Sequence, residues 1–192
     1  MKALADLKLF HEALESCFPG DRPRTMWRID SLKEKLYILV LSEEKTDLSP
    51  FCKIFSPSEH SWQTKDYDPL LARIKTGNIW RFRLSANPTR RVKDSVTEKK
   101  KICAHKTTAN QKEWLIKKSQ QHGFQLATDG FDVTENKWFR FRKSSGDVVT
   151  ILSVTYEGLL MVTDAELFCK TLINGIGRGK AYGMGLLTVM SV

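Results

Sequence analysis

The chain has 192 residues, and 31 Lys and Arg against 22 Asp and Glu leave a formal charge of +9. An apolar share of 41% is enough for one or two packed domains, and no stretch reaches the roughly 18 apolar residues of a membrane-spanning helix. The charge excess favours polyanionic partners through counterion release, although many basic proteins are simply soluble and basic. Cys17, Cys52, Cys103 and Cys169 stand alone, with no C-x-x-C pair. With no signal-like apolar run near the start, they indicate reduced thiols in the cytoplasm.

Leu4, Leu7, Phe10, Leu14, Cys17 and Phe18 recur at three- and four-residue steps, which predicts an amphipathic helix ended by Pro19-Gly20-Asp21. Thr25–Ile29 and Leu36–Leu41 read as strands joined by a polar turn around Ser31–Lys35. Residues 43–76 are mixed, with one strand expected near Cys52–Phe55 and a short helical turn at Pro69–Ile74. Trp80-Arg81-Phe82-Arg83-Leu84 alternates apolar and basic, as a half-buried strand does, and Asn87-Pro88 closes it.

Residues 89–107 are expected to be a basic, flexible segment. From Arg90 to Lys106 there are seven Lys and Arg and two acids. A helix is predicted over Thr108–His122, stopped by Gly123. Phe124–Leu126, Phe131–Val133 and Lys137–Arg142 look like strand material, and Val148–Val162 reads as a long strand bent near Tyr156–Gly158. Asp164 is a candidate N-cap for a helix over Ala165–Ile173, and Leu186–Val192 is read as the last strand. Trp27, Trp80 and Trp138 are assigned to the core rather than to base stacking.

Gly175, Gly177, Gly179, Gly183 and Gly185 lie within eleven residues, with Arg178 and Lys180 among them. Such a loop lets backbone amides approach an anion closely. It leads into a strand, whereas Rossmann and Walker loops run into a helix, so a nucleotide cofactor is excluded on this pattern. The larger anion that remains is a nucleic acid.

From Trp80 onward the order is strand, helix, strands, helix, strand, which suits a split βαβ unit. The first third gives helix, strand, strand, the same unit without its first strand. The expected fold is therefore α+β, with two tandem ferredoxin-like (RRM-like) modules over 1–78 and 79–192.

No H-x-x-x-H, H-E-x-x-H or G-x-S-x-G pattern occurs, and Cys103-x-His105 alone does not make a zinc site. Metal-free chemistry on a substrate carrying its own nucleophile stays open. RNA is such a substrate, because its 2′-OH can attack the adjacent phosphate with one histidine moving protons. Of the four histidines, His11 is the best placed, on the first helix beside Lys8 and Glu15. His122, near a helix C-terminus, has a structural reason in the helix dipole.

Tyr156-Glu157-Gly158-Leu159-Leu160, followed by the run from Gly175 to Leu187, resembles the CasE family of CRISPR repeat-processing endoribonucleases. Leu9–Leu14 with Phe18-Pro19, Met26-Trp27-Arg28-Ile29, and Arg81 to Arg91 agree in the same order. The resemblance implies two ferredoxin-like modules, binding of the CRISPR repeat stem-loop, and metal-independent cleavage at the 3′ base of the stem. It also implies that the crRNA is kept within a Cascade complex, with other Cascade subunits as partners, no membrane and no cofactor. His11 matches the family's catalytic histidine. Lys8 stands where a tyrosine is often found. An ammonium there can neutralise the phosphorane or protonate the leaving oxygen, while the other reading is a solvated helix lysine.

Family members usually open with a strand before that helix, so residues missing at the start are expected rather than a new fold. For RNA contacts the expectation is Arg90, Arg91, Lys93, Lys99, Lys100 and Lys101 on the stem phosphates, against a solvated tail as the alternative. Arg178 and Lys180 are expected near the scissile end. Arg81 and Arg83 could line the same surface, or be held by carboxylates. A subunit that binds the RNA hairpin without cutting it is the competing function, and a generic RRM-like binder a third.

Overall fold

The computed structural model describes residues 7–18, 25–33, 35–55, 62–93, 98–142 and 146–192, without side-chain detail at Lys8 and Leu32. Helix α1 (Leu7–Ser16) buries the stripe read from the sequence, with Leu7, Phe10 and Leu14 facing inward. Strands β1 (Met26–Leu32) and β2 (Lys35–Leu41) form an antiparallel pair from Met26↔Leu41 to Leu32↔Lys35, and Lys33 takes a positive φ of 48° at the turn. The strand expected at Cys52–Phe55 is instead the end of helix α2 (Ser49–Phe55). Asp47 Oδ1 accepts the Ser49 amide at 2.9 Å, and Pro50 suits a first helical turn. Phe51 and Phe55, four residues apart, then meet Phe10, whose ring stacks on Phe55 at 4.2 Å. Helix α3 (Asp68–Leu71) is the short helical turn expected near Pro69.

The larger sheet is built on β3 (Ile79–Ala86), which pairs on one side with β8 (Val148–Val162) and on the other with β9 (Leu187–Ser191). Beyond β8 lie β6 (Phe124–Gln125) and β7 (Phe131–Arg142), both antiparallel to it. Counting β6 and β7 as one interrupted strand, the order is that of a ferredoxin-like sheet. Helices α4 (Thr108–Gln120) and α5 (Ala165–Asn174) cover one face. Trp114, Leu115, Phe168 and Leu172 pack there on Trp80, Phe82, Leu84, Val154 and Tyr156. Asp164 caps α5 as expected, accepting the Leu167 amide at 2.9 Å. Gly158 is needed for close strand approach: a Cβ there would stand 2.4 Å from the Phe131 Cα. The strand shows no break at that point, and the irregularity falls on its partner, between Val133 and Glu135.

The basic segment expected to be flexible is a second hairpin, β4 (Thr89–Lys93) with β5 (Lys100–Ala104), paired from Thr89↔Ala104 to Lys93↔Lys100. Residues 94–97 lie outside the described part. The run of like charges hid the strands, whose few apolar side chains, Val92 and Ile102, fall on opposite faces of the hairpin. Trp138 also departs from expectation. It sits on the edge strand β7, where pairing sets it opposite Leu152, and is 53% exposed.

Candidate functional site

Strand β1 acts as the ruler of the site. Its Met26 methyl lies where a Cβ on Gly175 would be 2.4 Å away, and its Trp27 ring lies 2.7 Å from the Cβ position of Gly183. Next on the strand Arg28, only 2% exposed, uses its whole guanidinium inside the protein. Nη1 donates to the carbonyls of Leu186 and Arg83, both at 2.9 Å, and Nη2 donates to Thr188 Oγ1 at 2.8 Å. Nε and Nη2 grip the two carboxylate oxygens of Asp30 at 2.9 and 2.8 Å. This bidentate pair is desolvated, so it holds only because every donor finds a partner. Arg28 thereby ties the strand after α1 to β3 and to the strand after the glycine loop.

The loop itself is folded by its glycines. Gly179 (φ 85°) and Gly183 (φ 75°) bracket a single 3-10 turn, Lys180–Tyr182, in left-handed conformations that a side chain would strain. The amides of Ile176, Tyr182, Gly183 and Gly185 are all donated within the protein, to Gly185, Gly179, Lys180 and Ser85. Tyr182 packs into the same apolar cluster as Phe10 and Leu14, so the turn lies against α1.

His11 is on that helix, 29% exposed, with Nε2 3.9 Å from Glu15 Oε1. The side chain of Lys8 lies outside the described part. Lys180 donates its ammonium to the Asn174 carbonyl at the C-terminal end of α5, where the helix dipole favours a cation. Arg178 is exposed, and its backbone bridges to Asn87 beside the β4–β5 hairpin. The structure thus brings Arg178 together with Arg90 and Arg91, and brings the α1 helix to the glycine loop.

Arg83 is held apart from these. Its guanidinium pairs with Asp30 at 3.2 Å and Glu157 at 3.1 Å, the carboxylate alternative left open in the sequence. Arg81 is exposed on the same sheet face, between Leu159 and Met190 in register. Lys93 pairs with Glu98 at 2.8 Å, and Lys99, Lys100 and Lys101 are exposed.

Of the other histidines, His60 lies outside the described part. Burial first, and Arg90 second, hold His105 below the usual imidazole range. His122 is also pushed down, by burial and then by Lys118 and Lys180, and its Nδ1 lies 3.1 Å from Thr171 Oγ1. The shift runs opposite to the one a helix dipole alone would give. Among the described residues no three His, Cys, Asp or Glu side chains gather as a metal site requires, all four cysteines are free, and no helix is long and apolar enough to cross a membrane. Arg28 and Asp30 went unread as a site element. A lone arginine in an apolar strand was the available signal.

A ferredoxin-like sheet, a basic hairpin and a glycine loop clamped to a histidine-bearing helix define a basic α+β protein of the RRM-like class. Within that class the chain belongs to the CRISPR-associated family, matching the family described as CRISPR associated protein over residues 1–190. It is 30% identical over 193 residues to the CRISPR-associated endoribonuclease Cse3 of Thermus thermophilus, covering 93% of this chain and 85% of that one. A structure of Thermus thermophilus Cse3, bound to an RNA representing a pre-cleavage complex, superposes with a TM-score of 0.79. The identity there is 27%, with 98% of this chain and 91% of that one covered. The fold alone is shared with Cas6e of Escherichia coli K-12, at 22% identity and a TM-score of 0.62 over 99% and 95% of the two chains.

Proposed function

We propose that this protein is an endoribonuclease that binds the stem-loop of a CRISPR repeat RNA and cuts at the 3′ base of the stem. The observation that carries the reading is the clamp of β1 on the glycine loop, which fixes the His11 helix against the loop's turn. The likeness to a chain named an endoribonuclease supports it. In this reading the 2′-oxygen attacks the neighbouring phosphorus and the P–O5′ bond breaks, leaving a 2′,3′-cyclic phosphate and a 5′-OH. His11 accepts or returns the proton, and a nearby cation, Lys8 for one, neutralises the phosphorane. No metal is required, because the nucleophile belongs to the substrate.

Arg90, Arg91 and the lysines Lys99, Lys100 and Lys101 supply the phosphate contacts on the stem, with Arg178 joining them from the glycine loop. The amino-terminal module, residues 1–78, carries the histidine, and residues 79–192 carry the basic hairpin and the loop. The cut RNA stays bound, within a Cascade assembly in the cytoplasm. The test replaces His11 by Ala and follows a repeat hairpin by gel and by binding. Cleavage should fall by about 10²–10⁴-fold with affinity nearly unchanged. Equal rates would remove His11 from the mechanism, and tight binding without cutting by the unaltered protein would favour a purely structural subunit.

A further inference from the structure

A cavity of about 280 Å³ opens between the β4–β5 hairpin, α4 and the glycine loop. Arg90, Arg91, Lys118 and Arg178 line it, and among the described residues no carboxylate does. Asn87, Thr89 and Gly177 complete the lining, with Ile102 and Trp114 as its apolar part. Ile102 contributes a side chain that is 45% exposed. Trp114, only 8% exposed, contributes the far edge of its indole, which reaches Gly177 so closely that a Cβ there would stand 3.3 Å from Cη2 and Cζ2. The indole is held in place from behind by Tyr156, stacked at 6.4 Å and 20°.

A ligand complementary to this surface is anionic on one side and flat and apolar on the other. A nucleotide has both parts. A free anion would leave the Trp114–Ile102 wall uncovered, and a cavity at the small end of ligand sites has no room for a base pair. Duplex RNA presents its backbone to proteins, whereas unpaired bases are splayed out and packed on side chains. We propose that this cavity takes one unpaired nucleotide adjoining the RNA stem, its phosphate on Arg178 and on Arg91, which shares a hairpin face with Ile102, and its base against Ile102 and the edge of Trp114. The proposal rests on the reading of the protein as an RNA-hairpin binder and deepens it. The cavity is separate from His11 and adds affinity and register, not chemistry. A glycine at 177 has a second use here, since a side chain would crowd the indole that floors the cavity.

The test measures binding of the full chain to four RNA hairpins at one salt concentration. One has a blunt stem, one an unpaired adenosine on the 5′ side, one an unpaired adenosine on the 3′ side, and one an abasic residue at the favoured side. One of the two adenosines should tighten binding about tenfold over the blunt hairpin, as base packing on side chains does. The abasic residue should give only a small part of that gain, and Ile102→Ser should cut the ratio of overhang to blunt affinity severalfold. The proposal is overturned if neither adenosine helps, if the abasic residue helps as much (a phosphate site only), or if Ile102→Ser keeps the full ratio. Should the blunt hairpin fail to outcompete unpaired RNA of equal length, the hairpin reading falls and this inference with it. A blunt hairpin that competes well while overhangs add nothing sinks the inference alone.

Discussion

Two arginine-bearing regions of this molecule use the same side chain in opposite ways. On β1, Arg28 is buried and gives its donors to Asp30, Thr188 and two backbone carbonyls. On the β4–β5 hairpin, Arg90 and Arg91 are exposed on a strand that carries no comparable network. The guanidinium suits both tasks, because its planar fork can satisfy several fixed acceptors or meet phosphates. The contrast teaches that charge alone does not mark an RNA contact. Burial and acceptor count decide whether an arginine holds the fold or faces a ligand.

The largest expected effect breaks that contrast directly. Arg28→Ala should cost roughly 3–5 kcal/mol of stability, as removal of one partner from a buried pair does, because the Leu186 and Arg83 carbonyls lose this donor and Asp30 is left with Arg83 alone. Arg90→Ala should shift stability by no more than about 0.5 kcal/mol while lowering the slope of log affinity against log salt by close to one. Denaturant unfolding and RNA titration at several salt concentrations read the two out. Equal stability losses would erase the distinction between the regions.

A smaller effect sharpens the role of β1 as a ruler. Gly183→Ala places a methyl 2.7 Å from the Trp27 ring at a φ of 75°, whereas Gly77→Ala meets nothing within 4 Å at a φ of 87°. Both carry backbone strain of about 1 kcal/mol, so the excess loss in Gly183→Ala, about 1–3 kcal/mol, measures the contact alone. Thermal melts of the two variants compare them, and matching midpoints would show that the loop is not seated on Trp27.

The smallest effect is one of pH. Burial holds both His105 and His122 below the ordinary imidazole value of 6.5 in the folded protein. The unfolded chain therefore binds more protons between the folded and unfolded values, and stability is complete above about pH 6.5 and falls as the solution is acidified. Midpoints recorded from pH 7.5 to 5.5 should decline, and His122→Gln should flatten the decline. An unchanged slope in that variant would place the titration elsewhere.

Much of this was legible from residues alone, wherever one local rule acted without competition. The Leu7, Phe10, Leu14 stripe, the Asp164 cap and the alternation around Phe82 each named an element the structure contains. The glycine spacing located the loop but not its seat, since Trp27 and Met26 are distant in sequence. Phe51 and Phe55 fit a strand by composition and a helix by spacing, and only Phe10 decides between them. The β4–β5 hairpin was masked by its own charge. Trp138 was misplaced because apolar character does not reveal which strand lies at an edge. At His11 the residue was readable from motif resemblance, while the clamp that seats its helix needed three dimensions.

The central claim is that the RNA supplies its own nucleophile, and it is tested by a repeat hairpin with a single 2′-deoxyribose at the cut position, incubated with the protein in excess EDTA. The all-ribose hairpin should be cut, leaving a cyclic phosphate end, while the deoxy-substituted one stays whole yet binds as tightly. Scission of the deoxy-substituted RNA, or loss of all cutting once metal is chelated, would contradict the account.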